Sequence, residues 1–192
     1  MNKKLIIFTD IGDTIIDEST EVRKEPFGVV YSAECIPGAR ETFLDLYEQG
    51  YRIVMVADGL ERSFRNTMEQ NGLDHIFSEW VISEQLGVEK PSALMFAAAM
   101  QRMGLKDTDK QRVIMIGNNL ARDIAGANRF GIRSVHMCWS DRYPAKASTP
   151  GEEPTWCVHH PEELLPLVDE LEKQLEESGN AIIYPISGGH DL

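Results

Sequence analysis

Four short apolar runs in this chain are each followed by residues that could do chemistry. After Leu5-Ile6-Ile7-Phe8 comes Asp10-Ile11-Gly12-Asp13-Thr14, and after Ile53-Val54-Met55-Val56 comes Ala57-Asp58-Gly59. Lys90-Pro91 follows a weaker run, Val81-Ile82, and Gly117-Asn118-Asn119-Leu120-Ala121-Arg122-Asp123 follows Val113-Ile114-Met115-Ile116. If the runs are strands of one open parallel sheet, ligands bind at their carboxyl ends, and two carboxylates, an amide and one lysine converge there. Each residue also has a plainer reading. Asp10 could cap a turn, Lys90 could be a solvated loop lysine, and Asp123, in the first turn of a helix, could complement the helix dipole. Helical side chains nevertheless tilt toward their own N-terminus, so the Asp123 carboxylate can point back at the strand end.

The elements that must position these residues are legible in the hydrophobic pattern. Apolar runs alternate with helical periodicity over residues 39–49 (Ala39, Phe43, Leu46, Tyr47) and 120–130 (Leu120, Ile124, Ala127), each stopped by a glycine, Gly50 and Gly131. Residues 92–103 and 162–177 add helices, and one further helix and a strand fit between Gly59 and Lys90. Ser134-Val135-His136-Met137 is a fifth strand and Trp156-Cys157-Val158 closes the set. The pattern is that of βαβ units around a mostly parallel sheet. Residues 18–36 and 144–155 read as irregular loops, and neither the interval from Thr14 to Tyr51 nor that from Gly59 to Lys90 leaves room for a cap domain. Residues 1–178 are expected to form one core domain and 179–192 a tail. The tail carries an apolar patch, Ala181-Ile182-Ile183-Tyr184, that would serve as an edge strand or as a homodimer contact.

Composition narrows the function. The 192 residues are 42% hydrophobic and 26% charged, ordinary for a soluble globular protein. Nineteen Lys and Arg against 31 Asp and Glu give a net charge of -12, which disfavours a nucleic-acid partner. Residues 141–192 hold 11 acids and 3 bases, a net of -8, so most of that acidity is remote in sequence from the motifs. Cys35, Cys138 and Cys157 suggest neither a disulfide framework nor a zinc site. Asp10 and Asp13 interrupt the N-terminal apolar run before it could act as a secretory core, and no run is long enough to span a bilayer. A cytoplasmic protein with no membrane partner is expected.

In order and spacing the four segments resemble the motifs of the haloacid dehalogenase superfamily, mostly phosphatases, over roughly residues 4–137. The resemblance implies an α/β fold, a Rossmann-like three-layer sandwich with a mostly parallel central sheet, here without a substantial cap. It implies Asp10 as a nucleophile that forms an aspartyl-phosphate and Lys90 as the stabiliser of the phosphoryl charge. It implies Mg2+ held by Asp10, the Gly12 carbonyl, Asn118 and Asp123, and substrate contacts from Ile11, Gly12, Ala57, Asp58, Gly59 and Lys90. The substrate would be a phosphorylated small molecule or a macromolecular phosphate.

Three positions depart from the family pattern. The second aspartate of the phosphatases, general acid to the leaving group, stands here as Gly12, with Asp13 adjacent but expected to point elsewhere. The second-motif hydroxyl is Ala57, leaving the backbone N–H groups of Asp58 and Gly59. The first acid of the fourth motif is Asn118, which keeps an oxygen ligand but removes a charge. Weak or selective catalysis follows, easiest for acyl or aryl phosphates. Two other readings stay open: a non-catalytic phosphate-binding or interaction protein, and a metal-independent dehalogenase-like hydrolase. Arg23 and Lys24 read as a solvated pair or as contacts for an anionic substrate, His136 as a packed histidine, His159 and His160 as non-ligands, and Trp139 and Tyr143 as core anchors or entrance residues.

Overall fold

The computed structural model describes residues 3–24 and 28–179. In chain order its strands and α-helices are β1 (Ile6–Thr9), β2 (Val22–Lys24), β3 (Val29–Ser32), α1 (Ala39–Glu48), β4 (Arg52–Ala57), α2 (Glu61–Asn71), β5 (Phe77–Ile82), α3 (Ser83–Leu86), α4 (Ala93–Arg102), β6 (Val113–Gly117), α5 (Ala125–Phe130), β7 (Arg133–Met137), β8 (Trp156–Val158) and α6 (Leu164–Ser178). Six strands pair in the order β5-β4-β1-β6-β7-β8, every neighbouring pair parallel.

The apolar runs are unbroken because both faces of this sheet are covered. Alternate side chains point to opposite faces. Ile7, Met55 and Ile116 pack in one core with Phe43 of α1 and Val168 of α6. Phe8, Val54 and Met115 pack in the other with Phe96 of α4 and Ala127 of α5. The three-layer α/β architecture is therefore present. Each large side chain withdrawn completely from water, Phe8, Phe43 and Phe96 among them, contributes about 1.5–3 kcal/mol. Because β1 lies between β4 and β6, with Ile6 opposite both Arg52 and Val113, it delivers its following residue to the centre of the sheet's carboxyl edge.

Differences from the expected elements have local causes. The weak run Val81-Ile82 is the end of a six-residue edge strand, β5, whose Ser78, Glu79 and Trp80 are not buried. The helix expected over 120–130 opens with a π-helical turn, Leu120–Ile124, before α5. A single 3₁₀ turn, Pro150–Glu152, lies within residues 144–155.

Residues 18–36, read as an irregular loop, contain a 3₁₀ turn (Glu18–Thr20) and the antiparallel pair β2–β3. All three residues of β2 are exposed, so no apolar alternation marks it. Polar side chains of α2 hold β3 instead: Ser63 Oγ accepts from the Val30 N–H at 3.0 Å and Asn66 Nδ2 donates to the Val30 carbonyl at 2.9 Å. The tail patch Ala181–Tyr184 lies outside the described residues. Among the described residues no helix is long and apolar enough to cross a membrane.

Candidate active site

Asp10 leaves β1 with its N–H donated to the Ile116 carbonyl (2.9 Å), which carries the ladder to β6 one residue beyond the strand. The turn after it is closed by the Ile11 carbonyl, which accepts from the N–H groups of Ile15 (2.8 Å) and Ile16 (2.9 Å). The Ile11 side chain is buried in the core. Asp13 adopts a left-handed backbone, φ 47°, a conformation that aspartate tolerates better than most residues. Its carboxylate engages the loop after β7, and Asp13 is not among the residues that line the cavity. It accepts from the Glu18 N–H (3.0 Å), Ser140 Oγ (3.0 Å) and Arg142 Nε (2.5 Å).

Lys90 is buried and central. Its Nζ stands 2.7 Å from Asp10 Oδ1, 2.7 Å from Asp123 Oδ1, 2.8 Å from the Val56 carbonyl and 4.0 Å from Asp58 Oδ2. Asp58 Oδ1 accepts from the Lys90 N–H at 3.0 Å, so the second strand end holds the loop that carries the lysine. The Asp123 carboxylate turns back over Gly117 as its helical position allows. A Cβ at Gly117 would lie 2.4 Å from Asp123 Cγ, so that approach requires glycine. Asp123 Oδ2 also accepts from the Asn119 N–H at 2.9 Å.

The π-helical turn is capped by Asn119, whose Oδ1 accepts from the N–H groups of Ala121 (3.1 Å) and Arg122 (3.2 Å). Its partner Asn118 is buried, and His136 Nε2 lies 3.0 Å from the Asn118 carbonyl. Burial pushes the His136 pKa down, which favours the neutral ring with Nε2–H donating. His136 is thus a packed histidine that secures the fourth strand end.

Asp10, Gly12, Asp58, Lys90, Asn118 and Asp123 line one cavity of about 190 Å³. Burial pushes the Asp10 carboxyl up to about 7; Lys90 pulls it down and Asp123 pushes it further up. Burial also opposes the charge on Lys90, but Asp10, Asp123 and Asp58 together outweigh it and raise the lysine above its ordinary value. Asp58 is likewise raised by burial, with Lys90 acting against it.

Two second-motif expectations change. Ala57 is wholly buried, its methyl in the core. The Gly59 N–H, expected to serve a phosphate, is donated to Ser83 Oγ at 2.9 Å. Ser83 opens α3, and nothing in its sequence context signals that contact.

A family model for haloacid dehalogenase-like hydrolases matches residues 3–131. The chain belongs to the haloacid dehalogenase-like hydrolases. It is 33% identical over 137 residues to a glyceraldehyde 3-phosphate phosphatase of Methanopyrus kandleri, covering 71% of this chain and 58% of that protein. It is 28% identical over 159 residues to the pyrimidine 5'-nucleotidase PynA of Streptococcus pneumoniae, covering 82% and 65%. The chain thus spans less than two thirds of the length of either relative. Among solved structures it superposes on a phosphatase of the same superfamily from Thermococcus onnurineus with a TM-score of 0.68 at 14% identity, covering 93% of this chain and all of that one. The magnesium-bound hydrolase YfnB of Bacillus subtilis superposes with a TM-score of 0.63 at 24% identity, covering 71% and 57%. These two structures support the fold.

Within this haloacid dehalogenase-like hydrolase, charged residues with no role assigned from sequence also gather at and beside the site. Arg122 lies 3.2 Å from Asp58 Oδ2 and 2.5 Å from Glu89 Oε2 and donates through Nε to the Lys90 carbonyl (3.2 Å), so it ties three motifs together. Its position one residue before Asp123 was the only available signal. Glu18 lines the cavity, and Arg142 lies 3.3 Å from Glu18 Oε2. Both come from irregular segments that carry no periodic signal. Of the peripheral residues, Arg23 and Tyr143 line the cavity while Trp139 packs on the core. Lys24 stacks on the exposed ring of Tyr31 at 3.5 Å.

Proposed function

We propose that this chain is a magnesium-dependent phosphohydrolase acting on a phosphomonoester or an acyl phosphate through an aspartyl-phosphate on Asp10. The placement of the Lys90 ammonium, 2.7 Å from both Asp10 and Asp123 within one cavity, carries this reading. The phosphatase and nucleotidase names of the relatives support a phosphorylated small molecule as substrate, and about 190 Å³ suits a small one. A cytoplasmic setting belongs to the same proposal and rests on composition.

The residues present fit a hard cation. Asp10, Asp58 and Asp123 outnumber their partners Lys90 and Arg122, leaving surplus negative charge among oxygen donors. Asp10, Asp123, the Gly12 carbonyl and the Asn118 side chain would hold Mg2+. Among the described residues no three His, Cys, Asp or Glu side chains are grouped to hold a metal, so backbone and amide oxygens have to complete the set. When bound, the ion would screen the repulsion between a carboxylate nucleophile and an anionic phosphoryl group.

Asp10 attacks phosphorus, the bond to the leaving oxygen breaks, and water later hydrolyses the aspartyl-phosphate to regenerate the carboxylate. Lys90, fixed by the Val56 carbonyl, stabilises charge on the phosphoryl oxygens as a buried point charge. With the Gly59 N–H engaged by Ser83, the Asp58 N–H is the remaining second-motif donor.

A non-catalytic phosphate-binding role is favoured by that engaged N–H, by Ala57 and by Gly12. Hydrolysis of acetyl phosphate and p-nitrophenyl phosphate, with and without magnesium, beside Asp10→Asn separates the readings. Magnesium-stimulated turnover that falls at least about 1,000-fold in Asp10→Asn is expected. Silence across the panel together with magnesium-dependent binding of beryllium fluoride would establish the binding role. Metal-independent halide release from 2-haloacids would indicate displacement at carbon.

A further inference from the structure

Two carboxylates that none of the motifs supplies, Glu18 and Glu21, line the cavity, and Glu18 lies against Gly12. A Cβ built at Gly12 would lie 1.9 Å from Glu18 Oε1 and 2.8 Å from Glu18 Cδ. Gly12 is not among the residues with positive φ, so its backbone does not demand glycine. A side chain there would have to displace the Glu18 carboxyl group, which occupies the space.

Glu18 is held in that place from two sides. Its N–H donates to Asp13 Oδ1 at 3.0 Å at the start of the 3₁₀ turn, whose Asp17 side chain accepts from the Ser19 N–H at 2.9 Å. Arg142 bridges Asp13 Oδ2 (2.5 Å) and Glu18 Oε2 (3.3 Å). The adjacent Asp13 therefore has a structural use. Asp13 at φ 47° anchors the segment that brings Glu18 back over Gly12.

We propose that Glu18 supplies the carboxyl group that position 12 lacks, donating a proton to the leaving oxygen of the substrate. The inference rests on the phosphohydrolase reading above. As Asp10 attacks phosphorus and the P–O bond to the leaving group breaks, the Glu18 proton passes to the departing oxygen. As water attacks the aspartyl-phosphate, the Glu18 carboxylate takes a proton from that water, the P–O bond to Asp10 breaks, and inorganic phosphate leaves. One water is consumed and both carboxyl groups return to their starting states.

A proton donor matters most for a poor leaving group and contributes about 100-fold to 10,000-fold. The test measures kcat/KM, which reports the phosphorylation half-reaction, for glycerol 1-phosphate and for acetyl phosphate. In Glu18→Gln the ratio of alkyl to acyl kcat/KM is expected to fall at least about 100-fold. Gly12→Ala, which displaces the Glu18 carboxyl group, should lower the same ratio. The double variant Gly12→Asp/Glu18→Ala, which places a carboxyl group on residue 12 instead, should restore much of it. Thermal melts confirm folding of each variant.

An unchanged ratio in folded Glu18→Gln, or wild-type protein that hydrolyses acetyl phosphate but no alkyl phosphate, overturns the role of Glu18 and leaves the phosphohydrolase reading standing. Absence of Asp10-dependent turnover of either substrate overturns that reading, and the role of Glu18 with it.

Discussion

The ammonium of Lys90 stands as close to Asp123 as to Asp10, 2.7 Å in each case, so two carboxylates that follow the neighbouring strands β6 and β1 share one buried cation. With Asp58 Oδ2 a further 1.3 Å out at 4.0 Å, the lysine organises three of the four motifs' charged groups. The arrangement suits binding a cation and an anion together more than it suits stability, because it concentrates like charges out of water.

The first consequence is a pH dependence. Burial raises the folded Asp10 pKa from 3.8 to about 7, so across that interval the folded protein keeps a proton that the unfolded chain has released. Wild-type stability contributed by this group is therefore present at low pH and lost as pH rises toward 7. In metal-free protein Asp10→Asn should melt above wild type at pH 8, by a smaller margin at pH 5. A margin that narrows with rising pH would contradict the assignment.

Removing the shared cation should be costly. Lys90→Met leaves the carboxylates of Asp10 and Asp123 without their buried partner, and an uncompensated buried charge costs about 3–5 kcal/mol. Urea denaturation measures the loss. Adding Asp123→Asn to Lys90→Met should recover part of it, since the two positions interact directly and their effects are not additive.

Gly117 tests the approach of Asp123. An added Cβ would lie 2.4 Å from Asp123 Cγ, so Gly117→Ala should cost about 1–3 kcal/mol as an overpacked site. It should also displace the carboxylate, and the melting-temperature rise produced by magnesium in wild type should be diminished in the variant.

His136→Phe should cost about 1–3 kcal/mol at pH 7.5, because the buried Asn118 carbonyl loses its donor. Burial lowers the folded His136 pKa, so below about pH 6.5 the unfolded chain takes up a proton that the folded protein resists. Wild type thus loses stability from this group as pH falls, and the variant does not. The gap between them, read by urea denaturation, should be smaller at pH 5 than at pH 7.5.

Much of the fold was legible because parallel strands covered on both faces must be continuously apolar. Ile6 to Phe8, Ile53 to Val56 and Val113 to Ile116 therefore announce themselves and carry Asp10, Asp58 and Asn118 to one edge. The exposed strand β2 and the edge residues Ser78 and Glu79 gave no such signal, because no core constrains their type. Polar residues whose partners lie far along the chain, such as Ser83 beneath Gly59 or Arg142 beside Asp13, leave no periodic trace either.

The sequence by itself determined the family, the parallel sheet and the convergence of Asp10, Lys90, Asn118 and Asp123, since hydrophobic periodicity and motif order depend on near neighbours along the chain. Tertiary structure alone decided which groups touch. It gave Lys90 to Asp10 and Asp123 together, closed off the Gly59 N–H, and laid the Glu18 carboxyl group against Gly12. Hydrogen bonds and ion pairs act over about 3–4 Å in space, whatever the separation in sequence, so only the folded chain could settle them.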